Sequence, residues 1–416
     1  MFMIFGRLLE RLINDGELTV IDANNRTHRF GNRETGPAIT IRLHDRSLHY
    51  RLFLNPRLSI GEAYMDGTLT VENASLFAFL DLIGKNLGNA TVDGLDRWLT
   101  MLRVLARRFG QANPLGLAQR NVAHHYDLSG ELFDLFLDRD LQYSCAYFPN
   151  PNATLETAQD SKKRHIAAKL LLDPGLTVLD IGSGWGGLAM YLARTSGVDV
   201  TGVTLSTNQH RTAQQRAADA GLADHVRFHL RDYREETGTY DRIVSIAMFE
   251  QVGVPHFREY FQKIAELLAD DGVALIHTIS RRDGPDATNP WLRKYIFPGG
   301  YSPSLSEILA VIERVGLLVT DIEILRLHYA ETLRLWRERF LANWDAAAEL
   351  YDERFCRMWE FYLASCEMAF RHQGYMVAQL QLAKSIDAVP LTRDYITDWE
   401  RAHADESELV SLRRIV

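Results

Sequence analysis

One short stretch of the sequence combines an acidic residue with closely spaced glycines. Val178 to Ile181 form an apolar strand, and Gly182-Ser-Gly-Trp-Gly-Gly187 follows it at once. Glycine has no Cβ atom, so such a backbone can turn sharply and approach a ligand closely. Asp180 stands at the carboxyl end of the strand, where open α/β sheets bind their ligands. Because no Lys-Ser/Thr pair follows the glycines and the acid precedes them, the spacing excludes a P-loop and fits a dinucleotide fingerprint poorly.

The elements that must position this stretch alternate between apolar strands and helices from residue 176 to residue 280. This alternation predicts a doubly wound parallel sheet, an α/β fold. Asp270-Asp-Gly272 is predicted to be the turn that stops the last helix. The predicted strands are 177–181, 199–204, 225–229, 241–246 and 273–279, and the predicted helices lie near 187–196, 207–220 and 256–269.

The flanking regions predict a further unit on each side. Residues 1–13 have the spacing of one apolar helical face, residues 17–72 are β-rich, and residues 75–109 are helical again, so residues 1–110 are expected to form a small α+β domain. A domain of residues 111–390 and a loosely packed polar tail of residues 391–416 would follow. The predicted amino-terminal strands are 18–21, 38–43, 48–54 and 68–72; the other predicted elements are helical stretches within 117–172, 305–315, 330–345 and 349–373, and a loop over 281–304.

Composition narrows the class of protein. The formal net charge of −8 argues against a general nucleic-acid binder. Residues 1–120 carry 15 Lys and Arg against 12 Asp and Glu, a net charge of +3 that weakly favours an anionic membrane surface. The three cysteines are too few for a disulfide framework or a zinc site, which fits a reducing cytoplasm. No metal site, signal peptide or membrane-spanning run is predicted.

The glycine stretch resembles the first motif of the S-adenosylmethionine-dependent methyltransferases. The resemblance implies that the end of the second strand meets the ribose of this cofactor, that Asp232 accepts from the adenine amino group and that Tyr233 stacks on the adenine ring. Most methyltransferases place an acid on the ribose, whereas this chain has polar side chains without charge there. The implied cofactor-binding residues are Tyr143, Ser144, Asp180, Gly182, Ser183, Gly184, Trp185, Gly186, Thr204, Leu205, Ser206, Gln209, Asp232 and Tyr233.

A wider set of stretches over about 110–385 is similar to the cyclopropane fatty acid synthase family. That resemblance implies a Rossmann-like class I methyltransferase with helical additions, preceded by a lipid-associated or dimerisation domain. It also implies a homodimer in peripheral contact with the inner membrane surface, acting on unsaturated acyl chains of membrane phospholipids. The matching stretches are His125-Tyr-Asp127, Tyr143-Ser-Cys-Ala-Tyr147, Asp180 to Gly187, Gly202-Val-Thr-Leu-Ser206, Phe249-Glu250, His277-Thr-Ile279, Lys294-Tyr-Ile-Phe-Pro298, and Tyr329 before Glu331-Thr-Leu333.

The same family implies a bound bicarbonate ion as the base of the reaction. Carried over residue by residue, its ligands are Glu250, Tyr329, His277 with Ile279, and Cys145. Cys366 matches a carboxyl-terminal cysteine proposed as catalytic in the family, although a free cysteine on an aromatic helix is more often a small core residue. His124 and His125 are expected either to shape a lid over the cofactor or to have a capping role. Two departures from the family pattern are Ser183, where a cysteine is common, and Gln251, where a histidine is common.

Several alternatives stay open at this point. The aromatic residues of 349–373 fit a wall that stabilises a carbocation, and they fit an amphipathic core helix equally well. The product is expected to be a cyclopropane ring, with a methyl or methylene branch as the alternative. A non-catalytic lipid-binding protein and a methyltransferase for small soluble amines or hydroxyls are the rivals from other classes.

Overall fold

The computed structural model describes residues 2–89 and 129–404. The expected boundary near residues 111–116, the helical predictions for 90–109 and 117–128, and the residues His124, His125 and Asp127 lie outside this part of the chain.

The described amino-terminal residues form a four-stranded sheet covered by helices. The strands stand in the order β2-β1-β3-β4, with β1 and β3 parallel and the two outer pairs antiparallel. Phe5 and Leu9 are buried in the same core as Val20 and Ile41, so the apolar face of the first helix packs inside the protein. The elements are α1 (Phe2–Leu12), β1 (Gly16–Ile21), β2 (Thr27–Asn32), β3 (Ala38–Leu43), α2 (Leu48–Leu54), α3 (Pro56–Met65), β4 (Leu69–Val71) and α4 (Leu76–Asn89).

The predicted strand at 48–54 is wrong, since these residues form helix α2. Alternating apolar residues suggested a strand, but only Leu48 and Leu52 are buried. They are four residues apart, which places them on one face of a helix. Strand β2 was missed because Gly31-Asn32 reads as a turn, whereas Gly31 lies inside the strand with a φ of +82°.

The remaining elements build a layered α/β domain. Its helices are α5 (Gly130–Asp134), α6 (Leu155–Leu170), α7 (Gly187–Ser196), α8 (Thr207–Asp219), α9 (Phe257–Leu267), α10 (Pro290–Tyr295), α11 (Leu305–Val315), α12 (His328–Ala342), α13 (Trp344–Leu350), α14 (Glu353–His372) and α15 (Asp394–Ala402). Its strands are β5 (Thr177–Ile181), β6 (Asp199–Thr204), β7 (Val226–Leu230), β8 (Tyr240–Ile246), β9 (Leu268–Arg281), β10 (Leu318–Ile324) and β11 (Tyr375–Ala383).

The seven strands form one sheet in the order β7-β6-β5-β8-β9-β11-β10. The first five strands are parallel, as the alternation of strands and helices predicted, and β11 runs antiparallel to both of its neighbours. The order reverses direction at β5, so the glycine turn after β5 lies at the topological switch point where such sheets bind ligands.

Three expectations for this domain are corrected. Helix α9 ends at Leu267, and Asp270-Asp-Gly272 lies within β9, where the pairing with β8 shifts register. The predicted loop at 281–304 contains helix α10. This helix begins at Pro290, and the Asn289 side chain caps its amino end by accepting from the Trp291 amide. The region after residue 387 contains α15, which packs on α6 and buries Ile396, so this part of the expected tail is not loosely packed.

The amino-terminal helices pack directly on the second domain. Helices α3 and α4 both contact α14. The Tyr64 hydroxyl donates to Glu360 Oε2 at 2.5 Å, and His372 Nε2 lies 2.7 Å from Asp81 Oδ1. The described part of the unit expected at 1–110 therefore contacts α14, the helix rich in aromatic residues.

Candidate active site

A pocket opens at the carboxyl ends of the central parallel strands. Most of the cofactor-binding residues implied by the sequence line it, together with Gln142, Lys162 and Met248. Gly186 and Ser206 are not in the lining; they are the N-cap residues of helices α7 and α8. The predicted residues in the lining are Tyr143, Ser144, Asp180, Gly182, Ser183, Gly184, Trp185, Thr204, Leu205, Gln209, Asp232 and Tyr233.

The turn after β5 requires glycine for two different reasons. Gly184 has a φ of +55°, and a Cβ atom there would meet no other atom within 4 Å, so the backbone borders open space. Gly186 has a φ of +82°, and a Cβ atom there would lie 2.5 Å from Phe228 Cζ. The first glycine keeps the pocket open, and the second allows close packing beneath it.

Asp180 carries a buried carboxyl group at the back of this pocket. Its Oδ2 atom is without a hydrogen-bond partner among the residues the structure describes. Burial raises the pKa of Asp180 to about 7, against the opposing charge of Lys162. A buried carboxyl oxygen without a partner is costly in an empty pocket, so the site fits a ligand that donates to it.

Uncharged polar groups surround the end of β6, where the second strand was expected to meet a ribose. The Thr204 hydroxyl donates to Gln209 Oε1 at 2.9 Å, and Ser206 Oγ accepts from the Gln209 amide at 3.3 Å. The Thr204 and Gln209 side chains thus hold each other, while the Ser206 side chain caps the amino end of α8 through the backbone amide of Gln209. Their hydroxyl and amide groups are able to bond the hydroxyls of a sugar.

After β7, Asp232 and Tyr233 line the pocket but are also held by protein groups. Arg234 donates to both carboxylate oxygens of Asp232, from Nε at 2.8 Å and from Nη2 at 2.7 Å. The Tyr233 ring packs edge-on against Tyr260, with the ring centroids 5.3 Å apart. Recognition of an adenine ring by these two residues stays a prediction.

Glu250 stands in the chain between the lining residues Met248 and Gln251, although it is not itself among the lining residues. Its Oε1 atom accepts from the Ile279 backbone amide at 2.5 Å. Its Oε2 atom has no partner in the described part of the chain. Burial raises the pKa of Glu250 to about 7, although hydrogen bonding from Ile279 lowers it. The group therefore exchanges a proton near neutral pH, as a catalytic acid or base must.

Tyr329, Cys145 and Cys366 are brought together beside Glu250. Burial raises the pKa of Tyr329 well above its usual value, and the neighbouring groups Tyr143, Cys145, Cys366 and Glu250 act in the same direction. Cys145 is fully buried, whereas Cys366 is half-buried. Burial raises the pKa of both thiols, that of Cys366 to about 12, so neither is a thiolate at neutral pH.

The imidazole of His277 has other neighbours. Its Nδ1 atom lies 3.2 Å from Gln379 Nε2. Burial lowers the pKa of His277 to about 3, and Lys162 and Lys169 of helix α6 lower it further. Strand β9 reaches Glu250 through the Ile279 amide rather than through this ring.

Aromatic rings pack around Tyr329. The Tyr143 and Tyr362 hydroxyl groups are 2.9 Å apart. The ring of Phe370 lies 4.8 Å from that of Tyr329, and the ring of Phe297 lies 5.7 Å from that of Tyr362. Helix α14 is thus a core helix, and its Phe370 packs on Tyr329. A wall that stabilises a carbocation stays a prediction.

Lys162 is one of the lining residues that the sequence did not reveal. It is 1% exposed, lines the pocket, and donates from Nζ to Gln142 Oε1 at 2.7 Å and to Ser144 Oγ at 2.8 Å. No motif surrounds it in the sequence. Only the packing of α6 against the central sheet brings Lys162 to the pocket that Asp180 lines.

The sheet order, the glycine turn and the pocket at its switch point define a Rossmann-like S-adenosylmethionine-dependent methyltransferase. Over residues 116–380 the chain matches the family described as mycolic acid cyclopropane synthetase. The chain belongs to this family. Residues 4–88 match a separate domain family of unknown function, DUF7884.

Relatives and solved structures agree with this assignment. The cyclopropane-fatty-acyl-phospholipid synthase of Escherichia coli K12 is 37% identical, over 88% of this chain and 93% of the relative. Tuberculostearic acid methyltransferase UfaA1 of Mycobacterium tuberculosis is 39% identical over 77% of each chain. The structure of cyclopropane synthase MmaA2 from Mycobacterium tuberculosis is 34% identical, with a TM-score of 0.61 over 64% of this chain and 98% of that one. Mycolic acid cyclopropane synthase CmaA1, solved with SAH and CTAB, is 36% identical, with a TM-score of 0.60 over 64% of this chain and 97% of that one.

Proposed function

We propose that this enzyme transfers a one-carbon unit from S-adenosylmethionine to the cis double bond of unsaturated phospholipid acyl chains and forms a cyclopropane ring. The observation that carries the proposal is the position of Glu250. Its buried carboxyl group belongs to the segment of residues 248–252, of which Met248, Gln251 and Val252 line the donor pocket, the pocket at the carboxyl ends of the central strands. Burial raises the pKa of the Tyr329 hydroxyl, and the same carboxyl group is close enough to raise it further. A proton-sharing group near both the donor pocket and an aromatic cluster suits the loss of a proton from a newly added methyl group.

The donor pocket fits a methyl donor of this size and polarity. When bound, S-adenosylmethionine supplies an electrophilic methyl group on a sulfonium. Asp180 and the glycine turn would hold its amino-acid part, and Thr204, Ser206 and Gln209 would bond its ribose hydroxyls. An alkene is a poor nucleophile, so the protein must act mainly by holding the double bond close to the methyl and in line with it.

The aromatic and apolar surroundings of Tyr329 suit an acyl chain. Methyl transfer to an alkene leaves a carbocation on the chain, and water would quench it. The aromatic rings of Tyr143, Tyr362 and Phe370 exclude water, and their π faces stabilise positive charge. Ring closure then breaks a C–H bond of the added methyl group. The electron pair of that bond forms the second C–C bond of the ring, and the proton leaves to a base.

A bicarbonate ion is the base that family resemblance implies, and the residues around Glu250 fit it. Glu250 Oε2 has no partner within the described residues, and with a pKa of about 7 this carboxyl group is able to share a proton with a small anion. Tyr329 adds a hydroxyl donor, and the Cys145 turn and the strand of His277 and Ile279 would complete the set. Held there, the ion would supply a base beside the reacting carbon.

A branched product is the second candidate. The 39% identical relative is named a tuberculostearic acid methyltransferase, so a close relative is named for another fatty-acid product. The two outcomes differ only in how the cation loses its proton. Because the bicarbonate ion that Glu250 would hold can take the proton from the added methyl group, we favour the ring.

The product decides between the two candidates. The protein would be incubated with S-adenosylmethionine and vesicles of a phospholipid with one cis double bond, and the lipids analysed by mass spectrometry and proton NMR. A mass gain of one CH₂ with upfield ring protons supports cyclopropanation. A methyl or methylene branch supports the second candidate, and an unchanged lipid rejects both.

We also propose peripheral membrane contact through helices α1 and α2. Tyr50, Phe53 and Leu54 of α2 are exposed, as is Leu8 of α1. The exposed residues Arg7, Arg46 and Arg57 add positive charge nearby. Exposed apolar side chains beside basic ones suit an anionic bilayer, such as the inner face of a cytoplasmic membrane. No helix within 2–89 and 129–404 is long and apolar enough to cross a membrane.

Co-sedimentation tests this contact. Phe53→Ser combined with Leu54→Ser should lower binding to vesicles that contain anionic phospholipid, with S-adenosylhomocysteine binding retained. Unchanged vesicle binding would reject the surface. A change from dimer to monomer in light scattering would instead assign these residues to the homodimer that the family resemblance implies.

A further inference from the structure

Lys162 is buried in the lining of the donor pocket, and the proposed reaction gives this residue no direct role. The side chain is 1% exposed, and lysine is rarely buried to that extent without a role for its charge. It emerges from α6, and its Nζ atom donates to Gln142 Oε1 and Ser144 Oγ. Both acceptors are neutral, and both line the pocket with Tyr143 between them.

The segment of residues 142–144 depends on α6 for its position. Besides the two bonds from Lys162, Gln159 Nε2 donates to the Gln142 carbonyl at 3.1 Å and to the Ser144 carbonyl at 3.0 Å. The Gln142 amide donates to Asp138 Oδ1 at 2.9 Å. One turn of helix α6 therefore fixes one wall of the donor pocket.

The charge of Lys162 acts on Asp180, the acid that lines the same pocket. Burial favours the neutral form of Asp180, and the nearby ammonium group favours the carboxylate. Burial lowers the pKa of Lys162 itself to about 8. The adjacent Lys163 does not replace it, since that ammonium group is paired with Asp140 and Asp160. The titratable groups that act on Lys162 or respond to it are Asp138, Asp140, Cys145, Lys163, Asp180 and His277.

We propose that Lys162 is a positioning residue for the methyl donor, which fixes the wall of residues 142–144 and favours the negatively charged form of Asp180. A charged Asp180 attracts the ammonium group of the amino-acid part of the donor. Lys162 acts through Ser144, Gln142 and Asp180, not on the methyl group. The proposal concerns donor binding, so it does not depend on which lipid product the enzyme forms.

The test compares Lys162→Met with Lys169→Met in the full chain. Lys169 is a matched control because it lies on the same helix, is 0% exposed, and contacts Glu323 instead of the pocket. S-adenosylhomocysteine, which keeps the amino-acid part, is the probe, and its Kd is measured by titration calorimetry from pH 6 to pH 9. Lys162→Met should raise the Kd about ninefold at pH 6 and about threefold at pH 7.5, the effect of a one-unit rise in the pKa of Asp180 from about 7. Lys169→Met should leave the Kd within about twofold at both pH values.

The pH profile separates this role from a general loss of stability. Affinity in the wild type should rise with pH as Asp180 ionises near pH 7. Without the Lys162 charge the rise should move to higher pH, and Lys162→Arg should restore it. If Lys162→Met keeps both the wild-type Kd and its pH profile, the proposal is overturned.

A second variant keeps the proposal testable if Lys162→Met does not fold. Ser144→Ala leaves the lysine in place and removes one of its two acceptors. It should weaken binding of the probe without moving the pH profile. A Kd equal to that of the wild type would show that this wall does not position the donor and would reject the proposal.

Discussion

Glu250 Oε1 accepts a hydrogen bond of 2.5 Å from the Ile279 backbone amide. This bond joins the segment after β8 to strand β9 and fixes one oxygen of the carboxyl group. The other oxygen, Oε2, has no partner in the described chain and belongs to a group whose pKa burial raises to about 7. One oxygen thus orients the side chain, and the second is left for chemistry.

Glu250→Gln should separate catalysis from donor binding. Glutamine keeps the shape and an oxygen that accepts from Ile279, but it cannot take up a proton. We expect turnover to fall by about 10²- to 10⁴-fold, the usual contribution of an acid–base group, while the Kd for S-adenosylhomocysteine stays within about twofold. Lipid product formation and titration calorimetry measure the two effects.

Glu259→Gln is the matched control, because Glu259 lies on the outer surface of α9, where its side chain is 51% exposed and pairs with His256. It should leave both quantities unchanged. An equal loss of turnover and affinity in Glu250→Gln would contradict the base role and place the residue in the donor pocket.

Two glycines of the same turn should respond differently to alanine. Gly184→Ala puts a methyl group into open pocket space, so donor affinity should fall with little loss of stability beyond the left-handed backbone cost of about 1 kcal/mol. Gly186→Ala meets Phe228 at 2.5 Å, so it should destabilise the fold by about 1–3 kcal/mol. Urea denaturation and S-adenosylhomocysteine titration distinguish them. The same loss of affinity and stability in both would refute this division of roles.

The local pattern of the sequence was sufficient to predict the parallel strands of the large sheet, because buried strands that alternate with helices give a clear periodic signal. It was insufficient where a segment is short. The seven residues 48–54 fit both the helical period of about 3.6 residues and the strand period of about 2 residues. Only packing on the amino-terminal sheet selects the helix. Strands β10 and β11 were missed because β10 is half-exposed and β11 directly follows a long aromatic helix.

The site was predictable where a motif exists and hidden where only the fold brings residues together. The glycine turn and the ends of β6 and β7 carry local signals, and their residues line one pocket. Family resemblance pointed to Cys145, Glu250, Tyr329 and Cys366. These residues are neighbours in the fold, although more than 200 positions of sequence separate the first from the last. Lys162 has neither a motif nor a family role to mark it, so only the packing of α6 against the sheet reveals it.

Cys366→Ala should leave most of the activity. Burial raises the pKa of this thiol to about 12, so almost none of it is thiolate at pH 7.5. A neutral thiol is a poor nucleophile, and no step of the proposed reaction requires one. We expect turnover within about threefold of the wild type and slow alkylation of Cys366 by iodoacetamide, read by mass spectrometry. A hundredfold loss of turnover with unchanged stability would assign the thiol a catalytic role.

The stability contribution of His165 should depend on pH, because both of its ring nitrogens face carboxylates. Nε2 lies 2.7 Å from Glu323 Oε2, and Nδ1 lies 2.8 Å from Glu400 Oε1, which joins α6 to β10 and α15. Both contacts are hydrogen bonds only when the ring carries two protons. Burial lowers the pKa of His165, but the bonds to Glu323 and Glu400 outweigh burial and raise it.

A raised pKa fixes the sign of the effect. The stabilisation is complete below the unfolded-state pKa of about 6.5 and is lost as pH rises through the higher folded-state value. His165→Gln should lower the free energy of unfolding by about 1–3 kcal/mol at pH 6, and the difference from the wild type should shrink towards pH 9. Urea denaturation at pH 6, 7.5 and 9 measures it. His225→Gln, which breaks an exposed pair with Asp199, should change stability little at any of these pH values. A constant difference for His165→Gln across the range would mean that the ring is not protonated in the folded protein.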